Sequence, residues 1–280
     1  MKRTAVRAIV IRALLHGILI TGVAIISVPL IWMVGTSFKP YEEIFVYPPR
    51  LLPEVWRWQN WIEAPSSSYI PFAVFLKNSL VYCLPCLVLD VAVSALVAFS
   101  FARIPFRGSR VLFFILLTTM MLPGQVTMIP LYMIFARLNW VNTYLPLIAP
   151  SVFGWPYAIF LLRQFMATIP DDLDDAARID GCNLFRLFTS IHFPIAKPAL
   201  GIVGILSFTY NWSNYFQPLV YLRNMHLWPL ALALQTFIGK TNHWEYVMVM
   251  SLLMCLPPLL LFFVAQRNYV QGIVFTGVKG

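Results

Sequence analysis

A chain of 280 residues that is 60% hydrophobic and only 11% charged is not built like a soluble globular protein, whose charged share is about 25%. Its apolar surplus has to be solvated by lipid. The formal charge of +9 comes without a basic stripe interleaved with aromatics, which argues against a nucleic-acid partner, and the four cysteines form no disulfide framework.

Six stretches with little or no charge read as membrane helices, at 13–38, 78–102, 111–136, 138–162, 198–222 and 246–266. Each is long enough to cross the hydrocarbon, which takes about 20 residues at a rise of about 1.5 Å. Lipid offers nothing to unsatisfied backbone groups, so helices are the form to expect. The basic N-terminus and the apolar run behind it look like a signal sequence. The run is too long, however, and lacks a small-x-small cleavage site, so it reads as an uncleaved first span. With that end inside, thirteen of the 20 lysines and arginines fall on the inner face and seven outside. This excess predicts that both termini are cytoplasmic.

The first loop, 39–77, is rich in proline and carries Trp56, Trp58 and Trp61. It reads either as a connector lying on the membrane surface or as part of an external docking surface. In span two, Cys83 and Cys86 read as small packing residues. Asp90 is the only charge inside a span. It is read two ways, as lining a polar substrate path or as tying neighbouring helices together. Span three carries Pro123-Gly124 and Pro130, span four Pro146, Pro150 and Pro156, and span six Pro257-Pro258. Such prolines kink helices, as a bundle rearranging around a cavity would require.

The loop between spans four and five holds nearly half of the acidic residues. Pro170 opens a first turn rich in aspartate, and Asp174 and Arg178 are spaced as an i,i+4 ion pair. Ala176 and Ala177 keep one face small, Gly181 permits a left-handed stop, and Asn183 caps a second helix. Leu184, Leu187, Phe188 and Ile191 then form one apolar stripe, and Pro194 ends the helix. The pattern predicts a rigid helix–stop–helix that docks a soluble partner. Span five ends in Asn211-Trp212-Ser213-Asn214 and Gln217, a set able to bond and stack on a sugar-like solute or to form an ordinary interfacial belt. Asp90, Gln125, Asn211, Trp212, Asn214 and Gln217 are the substrate-path candidates.

No catalytic site emerges. His16, His192, His226 and His243 have no metal-ligand spacing to one another or to any Cys or acid, so no metal site is expected. Gly239-Lys240-Thr241 mimics the end of a phosphate loop, but Leu234 stands where the motif needs glycine. There is no internal repeat, which argues against carriers built on inverted repeats.

At these residues the chain resembles the inner-membrane permease subunits of ABC importers, most closely the carbohydrate-uptake branch, the maltose-type second permease. Asp175-Ala176-Ala177, Gly181 and Ile191-His192-Phe193-Pro194 match the spacing of the family's loop motif, with Asp175 in place of Glu and Phe193 in place of Leu. Ala98-Phe99-Ser100-Phe101-Ala102-Arg103, Met121-Leu122-Pro123-Gly124-Gln125, Val141-Asn142-Thr143-Tyr144 and Gly277-Val278-Lys279-Gly280 are similar to other family stretches. Trp212-Ser213-Asn214 departs from the usual Trp-Asn-Asp. The resemblance implies an all-α membrane protein of six transmembrane helices with the type I ABC importer permease fold. It divides into a cytoplasmic N-terminus and first helix (1–38), an external loop (39–77), a five-helix core (78–266) with a coupling loop (163–197), and a cytoplasmic tail (267–280). It implies a permease in the cytoplasmic membrane that moves a sugar or sugar-like solute. Its partners would be a second permease chain, an ATPase dimer that binds ATP and Mg, and an external solute-binding protein, with no cofactor in this chain. The ATPase-coupling residues would be Asp175, Ala176, Ala177, Asp180, Gly181, Leu184, Leu187, Phe188, Ile191 and Pro194. The alternative is an ion-coupled secondary carrier using Asp90.

Overall fold

The computed structural model describes residues 2–66, 71–238 and 243–277, and every regular element among them is helical. The Gly239-Lys240-Thr241 decoy and Val278, Lys279 and Gly280 lie outside the described residues. The main helices are α1 (Lys2–Ser37), α2 (Phe72–Arg103), α3 (Ser109–Thr119), α4 (Gly124–Arg137), α5 (Pro156–Met166), α6 (Asp171–Ile179), α7 (Leu184–Ile195), α8 (Lys197–Ser213), α9 (Phe216–Tyr221), α10 (Leu230–Ile238) and α11 (Trp244–Gly277). Among the described residues four spans are individually long and apolar enough to cross a membrane, and up to six if each of two bent pairs is one span.

The chain divides into two compact units. The smaller comprises residues 1–71 and 236–254. Its α1 presents Leu14, Ile18, Leu19, Val23 and Ile26 outward, an apolar surface of the kind a membrane-spanning helix shows. The segment after α1 is folded rather than slack. Lys39 is 1% exposed, donates to the Arg50 carbonyl and lies 4.5 Å from the Trp32 ring centroid. Burial pulls its pKa below the ordinary lysine value, and the Glu43 carboxylate opposes that shift. Asn60 donates to the carbonyls of Ser37 (3.0 Å) and Lys39 (2.8 Å), and Phe38 sits among Trp56, Trp58 and Trp61.

The larger unit comprises residues 72–235 and 255–280. Its post is α2, which packs along α5 and α8. Ala95, Ala98 and Phe99 repeat on the inward face of α2 and meet Ala158, Ile159, Leu162 and Met166 of α5 and Leu200 and Val203 of α8. Alanines let the backbones approach closely, as membrane helices need when no hydrophobic force drives them together. Gly154, at φ +77°, turns the chain into α5, and a Cβ there would lie 3.3 Å from the Ser94 hydroxyl. That hydroxyl accepts from the Trp155 amide at 2.9 Å.

Several spans differ from the continuous helices expected. The third breaks between α3 and α4 at an angle of 97°, because Pro123 lacks an amide donor and bars Leu122 from helical geometry. The fourth begins at Leu145 rather than 138, since Asn139 and Asn142 hold left-handed backbone at φ 58° and 67°. Asn142 uses that turn to accept from the amides of Arg223 (3.0 Å) and Asn224 (2.9 Å). The fifth stops at Ser213 and resumes as the short α9. The sixth passes through Pro257 and Pro258 and continues to Gly277.

Candidate functional site

The loop between the fourth and fifth spans folds as two helices around a fixed corner. Asp171, Asp172 and Asp174 occupy the first turn of α6, where acids complement the positive end of the helix dipole. The corner is Gly181 at φ +79°, with the Cys182 amide donating to Ala177 at 2.9 Å. Asn183 caps α7 by accepting from the Arg186 amide at 2.8 Å.

Two features of this loop differ from the expected arrangement. Asp174 does not pair with Arg178, which instead lies 3.4 Å from Asp175 on the outer face. Asp174 is turned inward, 2.7 Å from His192 Nε2 and 3.8 Å from an Arg103 guanidinium nitrogen. Nor does Pro194 end the second helix, which runs on to Ile195 and bends by 77° into α8. A π-helical turn at Phe188–His192 explains both this and the disposition of the apolar stripe. The wider turn accommodates Pro194 and advances the inward face by one residue. Leu187, Phe188 and His192 are therefore buried, Ile191 and Pro194 are half-buried, and Leu184 is exposed.

The remaining candidates are distributed accordingly. Ala177 is buried, whereas Asp175, Ala176, Asp180 and Gly181 are exposed. The largest apolar side chains left in the open are Ile179, 87% exposed, and Phe185, 71% exposed, one on each side of the Gly181 corner. Sequence reasoning missed both, together with the inward roles of Arg103, Asp174 and His192. The available signal was a lone histidine one position off an otherwise apolar stripe.

The substrate-path candidates separate into groups. Asp90, 6% exposed, accepts from the Ser207 hydroxyl at 2.6 Å. Asn211 donates to the Ser207 carbonyl at 2.9 Å, and its own carbonyl accepts from the Tyr82 hydroxyl. Asn214 and Gln217 bond to each other across the break between α8 and α9, at 2.8 Å. Trp212 is buried and stacks on Phe208. Gln125 is exposed in the first turn of α4. Among the described residues no three His, Cys, Asp or Glu side chains converge to hold a metal ion.

Residues 90–275 match the family described as the inner membrane component of binding-protein-dependent transport systems. A probable ABC transporter permease protein of Pyrococcus horikoshii is 33% identical over 254 residues, 90% of this chain and 92% of its own length. The sn-glycerol-3-phosphate transport system permease protein UgpE of Pectobacterium atrosepticum is 32% identical over 270 residues, covering 92% of this chain and 94% of its own. A chain of a bacterial ABC transporter involved in the import of the acidic polysaccharide alginate shares the fold. Its TM-score is 0.75 at 21% identity, over 92% of this chain and 96% of that one.

Proposed function

From the premise that the chain belongs to the inner-membrane component family of binding-protein-dependent transport systems, and is a multi-pass permease subunit of an ABC-type importer, we propose that it carries a sugar or sugar-like solute and takes its drive at the 171–195 loop. ATP hydrolysis falls to a separate ATPase. The cargo class follows the resemblance to the maltose-type second permease and is supported by the relative named as an sn-glycerol-3-phosphate permease, whose cargo is a small polyhydroxylated solute. The loop faces the cytoplasm, as do both termini, in accord with the excess of lysine and arginine on that side. The assembly pairs this chain with a second permease, an ATPase dimer and an external solute-binding protein.

A single observation carries the coupling assignment. Ile179 and Phe185 stand in the open on either side of the Gly181 corner, on a helix–corner–helix whose exposed aspartates Asp171, Asp172, Asp175 and Asp180 outnumber its exposed Arg178 and Arg186. Burying two such side chains in a partner's cleft contributes about 1.5–3 kcal/mol each, and the acids disfavour anionic lipid as the occupant. Docked there, the loop passes closure of the ATPase pair to α2 and α8 as a rigid-body movement. The ion-coupled alternative lacks a supporting observation, because Asp90 is enclosed and bonded to Ser207.

The test is purification of the tagged chain from its native membrane in mild detergent, with the co-purifying subunits identified by mass spectrometry. An ATPase subunit, a second permease and ATP-dependent uptake are expected. Uptake driven by an ion gradient without any ATPase would overturn the reading.

A further inference from the structure

Asp174 and His192 form a buried polar pair that the docking surface does not use. Asp174 is 4% exposed and His192 is 0% exposed. Their bond, 2.7 Å long, runs from α6 to the π-helical turn of α7. The second Asp174 oxygen faces Arg103, the last residue of α2, whose side chain is 4% exposed. Arg103 in turn donates to Asp171 and to the carbonyls of Met166 (2.7 Å) and Ile169. The imidazole rests on Phe99 of α2 with ring centroids 5.0 Å apart, and its Nδ1 has no hydrogen-bond partner. One polar bond therefore orients the ring, and that bond crosses the loop.

We infer that Asp174 and His192, anchored by Arg103, are positioning residues that make the two loop helices and the end of α2 a single stiff lever. The inference rests on the docking reading above. Displacement applied at Ile179 and Phe185 reaches the spans only if the joints behind them yield less than the docking contact does. The joint at Gly181 is a backbone corner with nothing within 4 Å of a Cβ placed there, so it resists bending poorly on its own. The Asp174–His192 bond lies across that corner and closes a triangle with α6 and α7. Apolar packing of Leu187 and Phe188 holds the helices together but leaves them free to slide. A directional bond in a dry site sets their register. Arg103 ties the triangle to α2, and the 77° bend after Ile195 ties it to α8.

The experiment uses the complete transporter, with both permeases, ATPase and binding protein, reconstituted in liposomes. It compares solute imported per ATP hydrolysed, and ATPase retained on purification, for wild type, Asp174→Ala, His192→Met and the surface variant Ile179→Asp with Phe185→Asp. Asp174→Ala and His192→Met, which remove the acceptor and the donor, are expected to retain the ATPase while import per ATP falls about tenfold, and the two combined are expected to fall no further, as for a shared interaction. A plain structural role would lower assembly or both rates in proportion and leave the ratio unchanged. A wild-type ratio in both single variants, or loss of the assembled complex in both, overturns the inference. If one variant fails to assemble, the other decides by the same ratio. Loss of the ATPase from the surface variant separates the two claims, because the docking reading then stands whatever the ratio. Retention of the ATPase there overturns the docking reading and the lever with it.

Discussion

Asp90 and Asp174 are both aspartates enclosed by helices, 6% and 4% exposed. Asp90 bonds Ser207 at 2.6 Å and is also met by the Ser151 and Asn211 side chains, whereas Asp174 bonds His192 at 2.7 Å and faces Arg103. What surrounds them differs. Around Asp90 the outward residues of α2 are apolar, with Leu84, Val88 and Leu96 all exposed, and the helix is long enough to cross a membrane. That surface has the length and apolarity of a membrane-spanning helix. Around Asp174 the most exposed apolar residues are Ile179 and Phe185, with Leu173 and Leu184 exposed less, on short helices that also carry exposed aspartates. Exposed apolar surface thus fits a membrane-spanning helix in one region and, on the proposed reading, a docking partner in the other. The length of the element and its charged neighbours decide which.

The largest effect expected from this contrast is at the loop surface. Ile179→Asp with Phe185→Asp should weaken ATPase association by more than about a hundredfold, read by co-purification, while the chain itself remains folded. Equivalent acids at Leu84 and Val88 should instead reduce membrane insertion. A loop variant that kept its ATPase would break the comparison.

A smaller effect is expected at the embedded aspartate. Asp90→Leu leaves the Ser207 hydroxyl without its acceptor and should cost about 1–3 kcal/mol of stability, measured as thermal unfolding in detergent. Asp90→Asn preserves an acceptor and should leave import within about twofold of wild type, since less than 0.5 kcal/mol is then at stake. Loss of import in a stably folded Asp90→Asn would make that residue part of the path and not only a tie between helices.

The smallest change is at the corner. A Cβ at Gly181 meets no atom within 4 Å, so the cost of Gly181→Val is chiefly that of the left-handed backbone, at least about 1–2 kcal/mol for a β-branched residue. Gly181→Asn should cost less, because asparagine tolerates that conformation. The measure is import rate in the reconstituted transporter, with Val slower than Asn and Asn slower than Gly. Equal rates would mean that the corner angle does not matter to coupling.

Much of the fold was legible because lipid imposes a simple rule. A run of about 20 uncharged residues has few alternatives to a spanning helix, and the spans rest on such runs. The helix–corner–helix was legible for a similar reason, since Pro170, Gly181 and Asn183 each act on their own local backbone. The third span was legible only as a region. Pro123 marked a kink, but whether a proline bends a helix slightly or breaks it by 97° depends on what packs on either side. In the loop, helical periodicity put Ile191 on the apolar stripe with Leu187 and Phe188 and left His192 unassigned. The π-helical turn reverses the two, and no local pattern announces one extra residue in a turn.

Composition and charge order alone determined that this chain is a helical membrane protein with a polar helix–corner–helix loop, because burial in lipid and helix termination are decided within a few neighbouring residues. Which acid turns inward, which stripe is left for the partner, and what Arg103 holds were decided only by the tertiary structure. Arg103, Asp174 and His192 lie 71 and 18 residues apart along the chain, and their pairing exists only once α2, α6 and α7 have packed and excluded water from the space between them.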